Sequence, residues 1–144
     1  MAQTYHYLLP VFLPLAACQS GDAGGVPGDS DDTQPYAGIA ADAVLKLTGT
    51  EPFWGATIAD DTLTWSTPEN IDGVALPVTR FAGRGGVSFS AELDGAALDA
   101  MVTPGECSDG MSDRTYPFTA TVQIGNEQRN GCAWREGVDA LGEP

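Results

Sequence analysis

Residues 107–132 read C-S-D-G-M-S-D-R-T-Y-P-F-T-A-T-V-Q-I-G-N-E-Q-R-N-G-C, and this stretch decides the fold. Its second half alternates: Tyr116, Phe118, Ala120, Val122 and Ile124 fall on one side of an extended chain, with threonines and Gln123 between them. A period of two over nine residues is the signature of a strand buried on one face. Pro117 suits the first residues of such a strand or an edge position. Before it lies a run of turn formers, Asp109-Gly110 among them, whose Ser and Asp side chains can satisfy turn amides. The stretch is bounded by Cys107 and Cys132, which enclose a 26-residue loop. A lone cysteine pair with no histidine nearby and no C-x-x-C spacing is a poor metal or redox pair. In an oxidising compartment the two are expected to form a structural disulfide.

The same alternation recurs outward from this stretch. T-L-T-W-S-T (62–67) sets Leu63 and Trp65 on one face, and V-S-F-S-A-E-L (87–93) does so with Val87, Phe89, Ala91 and Leu93. Asp94-Gly95 is a two-residue hairpin signal. Further strands are expected at 43–48, from the end of the 49–55 bend to Ala59, at 75–82, at 97–102 and at 132–135. A bend is expected over Gly49–Gly55, where Pro52 disfavours the helical region at Glu51, and turns at Asp60-Asp61, 68–73 and 83–86. Phe53 and Trp54, adjacent on an extended chain, must point to opposite faces. With 18 Gly and 10 Pro among 144 residues, and no convincing helix, the expected fold is all-β. It is a small antiparallel barrel or sandwich of seven to eight strands with one disulfide, spanning residues 44–144, preceded by a flexible linker. The tail after Gly137 is expected to fray.

The first 43 residues read as an address and a tether. Residues 5–17 are apolar and uncharged, broken by Pro10 and Pro14, and too short to span a bilayer as a helix. They fit the apolar part of a signal peptide over residues 1–17. The ending Leu15-Ala16-Ala17-Cys18 resembles a bacterial lipobox, which implies cleavage before Cys18 and a lipid on its thiol. Gln19 after the cysteine implies the outer membrane, facing the periplasm. No Lys or Arg precedes the apolar run, a departure from the usual signal. Residues 19–43 are rich in Gly, Asp, Ser and Pro and read as an acidic spacer. The Asp29, Asp31 and Asp32 cluster lacks the spacing of a calcium loop.

Charge and composition narrow the function. Twenty acids stand against six bases, a net of −14. Nucleic-acid binding needs clustered Lys and Arg and is excluded as an expectation, whereas a cationic protein partner is permitted. His6, inside the signal region, is the single histidine, so the domain has no Ser-His or Cys-His nucleophile arrangement. Glu51 with Asp109 or Asp113 is the remaining carboxylate pair for a hydrolase. No phosphate loop or dinucleotide fingerprint is present, and no cofactor or metal is expected. Arg114 can make bidentate bonds to Asp109, to Asp113 or to a distant carboxylate such as Glu51. Ser112, Arg114 and Tyr116 alternate and would project to one side of an extended chain. Trp54 or Trp65 at a barrel mouth would suit a small ligand.

The words G-T-E-P-F-W (49–54), R-F (80–81), C-S-D-G-M-S-D-R-T-Y-P (107–117) and G-C (131–132) resemble a family of uncharacterised bacterial lipoproteins over residues 44–135. That resemblance implies an envelope protein of a family with no established activity. It is linked in type to membrane-bound inhibitors of C-type lysozyme, small disulfide-bridged β-barrels that insert a loop into the enzyme cleft. The inhibitor's own Ser-Gly-rich motif is absent here. Carried over by architecture, the contact groups would be Ser112, Arg114 and Tyr116, with Glu51, Trp54, Asp109 and Asp113 around them. The expected activity is binding or envelope maintenance, with inhibition of a cationic wall-degrading enzyme as its concrete form.

Overall fold

A computed structural model describes residues 33–141. Within them the chain forms nine antiparallel strands and no helix. They are β1 (Leu45–Thr50), β2 (Phe53–Ala59), β3 (Thr62–Thr67), β4 (Asn70–Pro77), β5 (Thr79–Ala82), β6 (Val87–Leu93), β7 (Ala96–Ser108), β8 (Thr115–Ile124) and β9 (Glu127–Arg135). Every strand pairs with its sequence neighbour except β4 with β5, and β9 returns to pair with β1. The topology is therefore an up-and-down meander whose first and last strands meet, a nearly closed barrel rather than a sandwich.

The closing corner is at Val78. Segment 70–82, expected as a turn followed by one strand, is extended almost throughout and changes partners midway. Its first part pairs with β3 and its second with β6. Pro77 has no amide proton for a ladder, which suits a point where pairing lapses. The next amide, of Val78, donates instead to the Asp61 carbonyl in the β2–β3 turn at 2.9 Å. Counted as one strand, β4 and β5 make this an eight-strand meander, the size at which side chains just fill a barrel.

They do fill it. Leu45, Leu47, Trp54, Ala56, Ile58, Leu63, Trp65, Phe89, Leu98, Val102, Phe118 and Val122 form one contiguous buried cluster. The alternation in 116–124 gives the inward face of β8 as expected, and Leu63 and Trp65 face inward together. Phe53 is half exposed and Trp54 is buried, on opposite faces. Asp94 and Gly95 both take positive φ, 51° and 82°, the geometry of a two-residue hairpin. The Glu51–Pro52 peptide, between β1 and β2, is cis.

Four further elements differ from expectation. β7 continues past residue 102 to Ser108, its register shifting between Pro104 and Cys107. A bulge there absorbs the Pro and Gly that would otherwise end a strand. β9 starts at Glu127 rather than Cys132. The packed chain also reaches back into the expected spacer. Ile39 is buried in the core, the Tyr36 amide donates to the Gly83 carbonyl at 2.7 Å, and Arg80 Nη2 donates to the Ile39 carbonyl at 2.8 Å. Past Gly137, Asp139 is held by Arg135, with Nη2 to Oδ1 at 2.6 Å, so the chain is pinned to that point.

One tight passage sits at the β1–β9 seam. Gly49 faces Trp54 across the β1–β2 ladder, and a side chain on Gly49 would collide with the Trp54 ring. A side chain on Gly131 of β9 would strike the Thr48 carbonyl oxygen and approach the same ring. Trp54 in turn stacks on Trp65, centroids 5.1 Å apart and planes 15° from parallel. Two glycines thus let one indole lie across the seam. Gly131→Ala is expected to destabilise the domain by about 1–3 kcal/mol, because the obstacle is backbone. Urea unfolding followed by tryptophan fluorescence measures it, and an unchanged midpoint contradicts the seam as described.

Candidate functional site

The β7–β8 connection, residues 109–114, is organised by one carboxylate. Asp109 Oδ1 accepts from the Met111 and Ser112 amides, both at 2.9 Å. Its Oδ2 accepts from the Ser112 and Tyr116 hydroxyls, again both at 2.9 Å. Ser108 Oγ accepts from the Gly110 amide, and Ser112 Oγ accepts from the Arg114 amide. Short Asp and Ser side chains bonding amides two and three residues on are the Asx and ST turns that the sequence suggested.

These bonds fix the chemistry of the loop. The Met111 amide, then the Ser112 amide and hydroxyl, hold the Asp109 carboxyl well below the usual carboxylate range. Burial first, then the bond to Asp109, pushes the Tyr116 phenol up, while Ser112 and Arg114 pull the other way. A carboxylate this acidic, with both oxygens occupied, is a poor general base.

The disulfide forms as expected. Cys107 and Cys132 are bonded, with Cα atoms 5.6 Å apart. It spans more than a hairpin: Cys107 is on β7 and Cys132 on β9, so it reaches over β8 and staples the strands on either side of it. Cys132 also faces Thr48 across the β1–β9 ladder. The bridge therefore brings the start of the loop over the outer barrel wall towards the end of β1. Between them lies an open groove of about 410 Å³, bordered by Thr48, Gly49 and Thr50 on one side and Cys107, Ser108 and Asp109 on the other. Its floor carries Thr119, Thr121 and Asn130. Seven of its lining side chains carry a hydroxyl, amide or carboxylate group, with Ala120 and the disulfide among them.

The residues singled out from the sequence divide between this groove and the barrel. Asp109 lines the groove, and Ser112 is spent on Asp109. Tyr116 is buried, its ring 5.4 Å from that of Trp134 and its hydroxyl given to Asp109. Asp113 is exposed. Arg114 makes no ion pair among the described residues, and its Nε is buried without a hydrogen-bond partner. Glu51 is exposed at the β1–β2 turn, and Trp54 is in the core. The G-T-E-P-F-W word does approach the loop, but through Gly49 and Thr50 rather than Glu51 and Trp54. Cys18 lies outside the described residues. No group of three or more His, Cys, Asp or Glu that could hold a metal is found among the described residues, and no helix among them is long and apolar enough to cross a membrane.

Sequence reasoning missed the two arginines at the barrel ends. Arg129 lies over the Trp65 ring, 5.6 Å from its centroid, and pairs with Glu127 at 2.9 Å. Arg135 lies over Phe118 at 5.5 Å and donates to Asp139 and to the Gly38 carbonyl. Each guanidinium covers an aromatic face. The residues E-Q-R-N-G carried no alternation that would mark Arg129 as inward-facing.

No protein-family model matches this chain, and neither a curated protein nor a solved structure matches it.

The pH window of the loop follows from its two shifted groups. Asp109, depressed in the fold, adds stability that is present above its ordinary value of 3.8 and is lost as pH falls towards the folded value. Tyr116, raised in the fold, adds stability that is present below its ordinary value of 10.0 and is lost as pH rises through the folded value. Stability from this pair should be flat between those limits. In Asp109→Asn the amide nitrogen, a donor only, can accept from neither hydroxyl, so the urea midpoint should drop and the acid limb flatten. An acid limb identical to wild type would contradict the assignment. Cys107→Ser should cost about 3–4 kcal/mol by the loop-entropy relation for a loop of this length, read as a lower urea midpoint.

Proposed function

We propose that this chain is a lipid-anchored bacterial envelope protein whose barrel is a binding module for a cationic protein, with wall-degrading enzymes as the partner class. It acts by contact, without catalysis. The observation that carries this reading is the way the domain spends its positive charge. From residue 44 onward there are six basic side chains against fifteen acidic ones. Lys46 pairs with Glu136, Arg129 with Glu127 and Arg135 with Asp139. Arg80 is turned onto the Ile39 carbonyl. With these four engaged, the fifteen carboxylates outnumber the bases over the domain as a whole, a field that accelerates encounter with cations.

The loop over the groove supports a contact role. It is prepared in advance by the four bonds to Asp109, so little ordering is required on binding. Its outward groups, Ser108, Met111 and Asp113, combine polar contacts with one apolar tip. The filled interior, with Trp54 and Trp65 stacked inside it, argues against a ligand held within the barrel. The saturated Asp109 carboxylate argues against a hydrolase.

The test is a lysis assay. Protein at micromolar concentration is added to a cationic C-type lysozyme acting on a cell-wall suspension, with calorimetry at low and high salt. Slower lysis, and binding that weakens at least tenfold between 50 and 300 mM salt, are expected. Asp113→Lys should weaken it further. Unchanged lysis rates together with no heat of binding would rule this partner class out.

A further inference from the structure

The end of β7, the start of β8 and the turn after β9 border an open pocket of about 350 Å³. Its lining differs from that of the loop groove. Pro117, Val138 and Ala140 give it an apolar side, Tyr116 forms part of its wall, and Glu106 and Asp139 supply carboxylates. No basic side chain lines it.

Glu106 reaches this place because β7 is irregular there. The register with β8 shifts between Pro104 and Cys107, and a bulge re-aims the side chains within it. Glu106 is exposed, and among the described residues its carboxylate makes no ion pair. Asp139 is different: its Oδ1 accepts from Arg135 Nη2 and its Oδ2 from Arg135 Nε. The pocket therefore holds one carboxylate neutralised within the fold and one that is not.

The opposite wall is held in place. The Arg135 amide donates to Asp139 Oδ2 at 2.7 Å, and the Val138 and Asp139 amides donate to the Arg135 carbonyl at 3.3 and 3.1 Å. The 135–139 turn is thus closed on itself with Val138 left 65 % exposed. An exposed valine alone is ordinary. This one shares a pocket with an unpaired carboxylate, and one kind of side chain suits both: an aliphatic stem that ends in a cation.

We propose that the pocket takes an arginine or lysine side chain of the cationic partner, its stem along Pro117 and Val138 and its head on Glu106. This rests on the cationic-partner reading and names the group by which that partner is held. Arginine is the better fit, because its planar fork can grip a carboxylate through two parallel bonds. Glu106 immediately precedes Cys107, which borders the loop groove, and Thr115, where the loop returns, lines the pocket. Pocket and loop therefore lie at one end of β7, where a single partner can meet both. With its walls fixed, the pocket leaves only the incoming side chain to be ordered.

The test uses the full chain carrying Cys18→Ser, titrated with Nα-acetylarginine amide or its neutral isostere, Nα-acetylcitrulline amide, and followed by amide NMR shifts. Saturating shifts centred on Glu106, Thr115 and Val138 are expected for the arginine compound, with citrulline roughly fivefold weaker or more. Glu106→Gln should weaken arginine binding by a similar factor. Glu92→Gln removes the same charge from an exposed position on β6 and should leave binding within about twofold. No saturation below about 100 mM, shifts spread over the acidic surface, an equal response to citrulline, or equal losses in the two variants would overturn the proposal. The same variants in the lysozyme calorimetry separate the two readings. A loss confined to Glu106→Gln supports a basic side chain of that enzyme in the pocket. Arginine-amide binding without lysozyme binding keeps the pocket and removes only that partner class.

Discussion

The structure depends most on the close approach of β9 to β1, because that seam turns a curled sheet into a barrel. Two glycines make it possible. Gly131 leaves its space to the Thr48 carbonyl, and Gly49 leaves its space to the ring of Trp54. The indole then lies across the seam and stacks on Trp65 inside. A large aromatic over a strand glycine restores the burial that the glycine itself lacks. The first half of the G-T-E-P-F-W word is thus explained by packing. Its conspicuous tryptophan belongs to the core.

From the seam the consequences pass to the loop. Cys132 sits on β9 against Thr48 of β1, and its bridge to Cys107 draws the end of β7 over β8. β7 can reach so far because its bulge at Pro104 to Cys107 releases it from regular register. The eleven-residue word that follows is then a tight turn closed on Asp109. That carboxylate is stabilised as an anion by four donors at once, which gives the loop one conformation over a wide pH range. Rigidity of this kind serves contact better than catalysis, since a general base needs a free lone pair and a proton affinity near the working pH.

Much of this was legible in the sequence, and the parts that were not share a physical cause. Periodicity reports a strand when one face is apolar, so β3, β6 and β8 announced themselves. β9 did not, because its inward Arg129 is polar and is accommodated by the face of Trp65. β7 seemed to end near residue 102 because Pro104 and Gly105 normally end strands; a bulge at an edge tolerates both. Ile39 was hidden among Gly and Ala, where a single apolar residue has no period to reveal it. The disulfide was legible as a pair, but its span over β8 required the strand order. The burial of Tyr116 was legible from alternation, whereas the use of its hydroxyl by Asp109 depended on the fold of the loop.

The barrel is also electrically uneven in a way that its net charge conceals. Arg129 and Arg135 are drawn inwards over aromatic faces at the two ends, and Lys46 is matched by Glu136. Those contacts remove positive charge from most of the surface. Fifteen acidic side chains against six basic ones from residue 44 onward then leave the domain with an acidic field that would draw a cationic partner towards it.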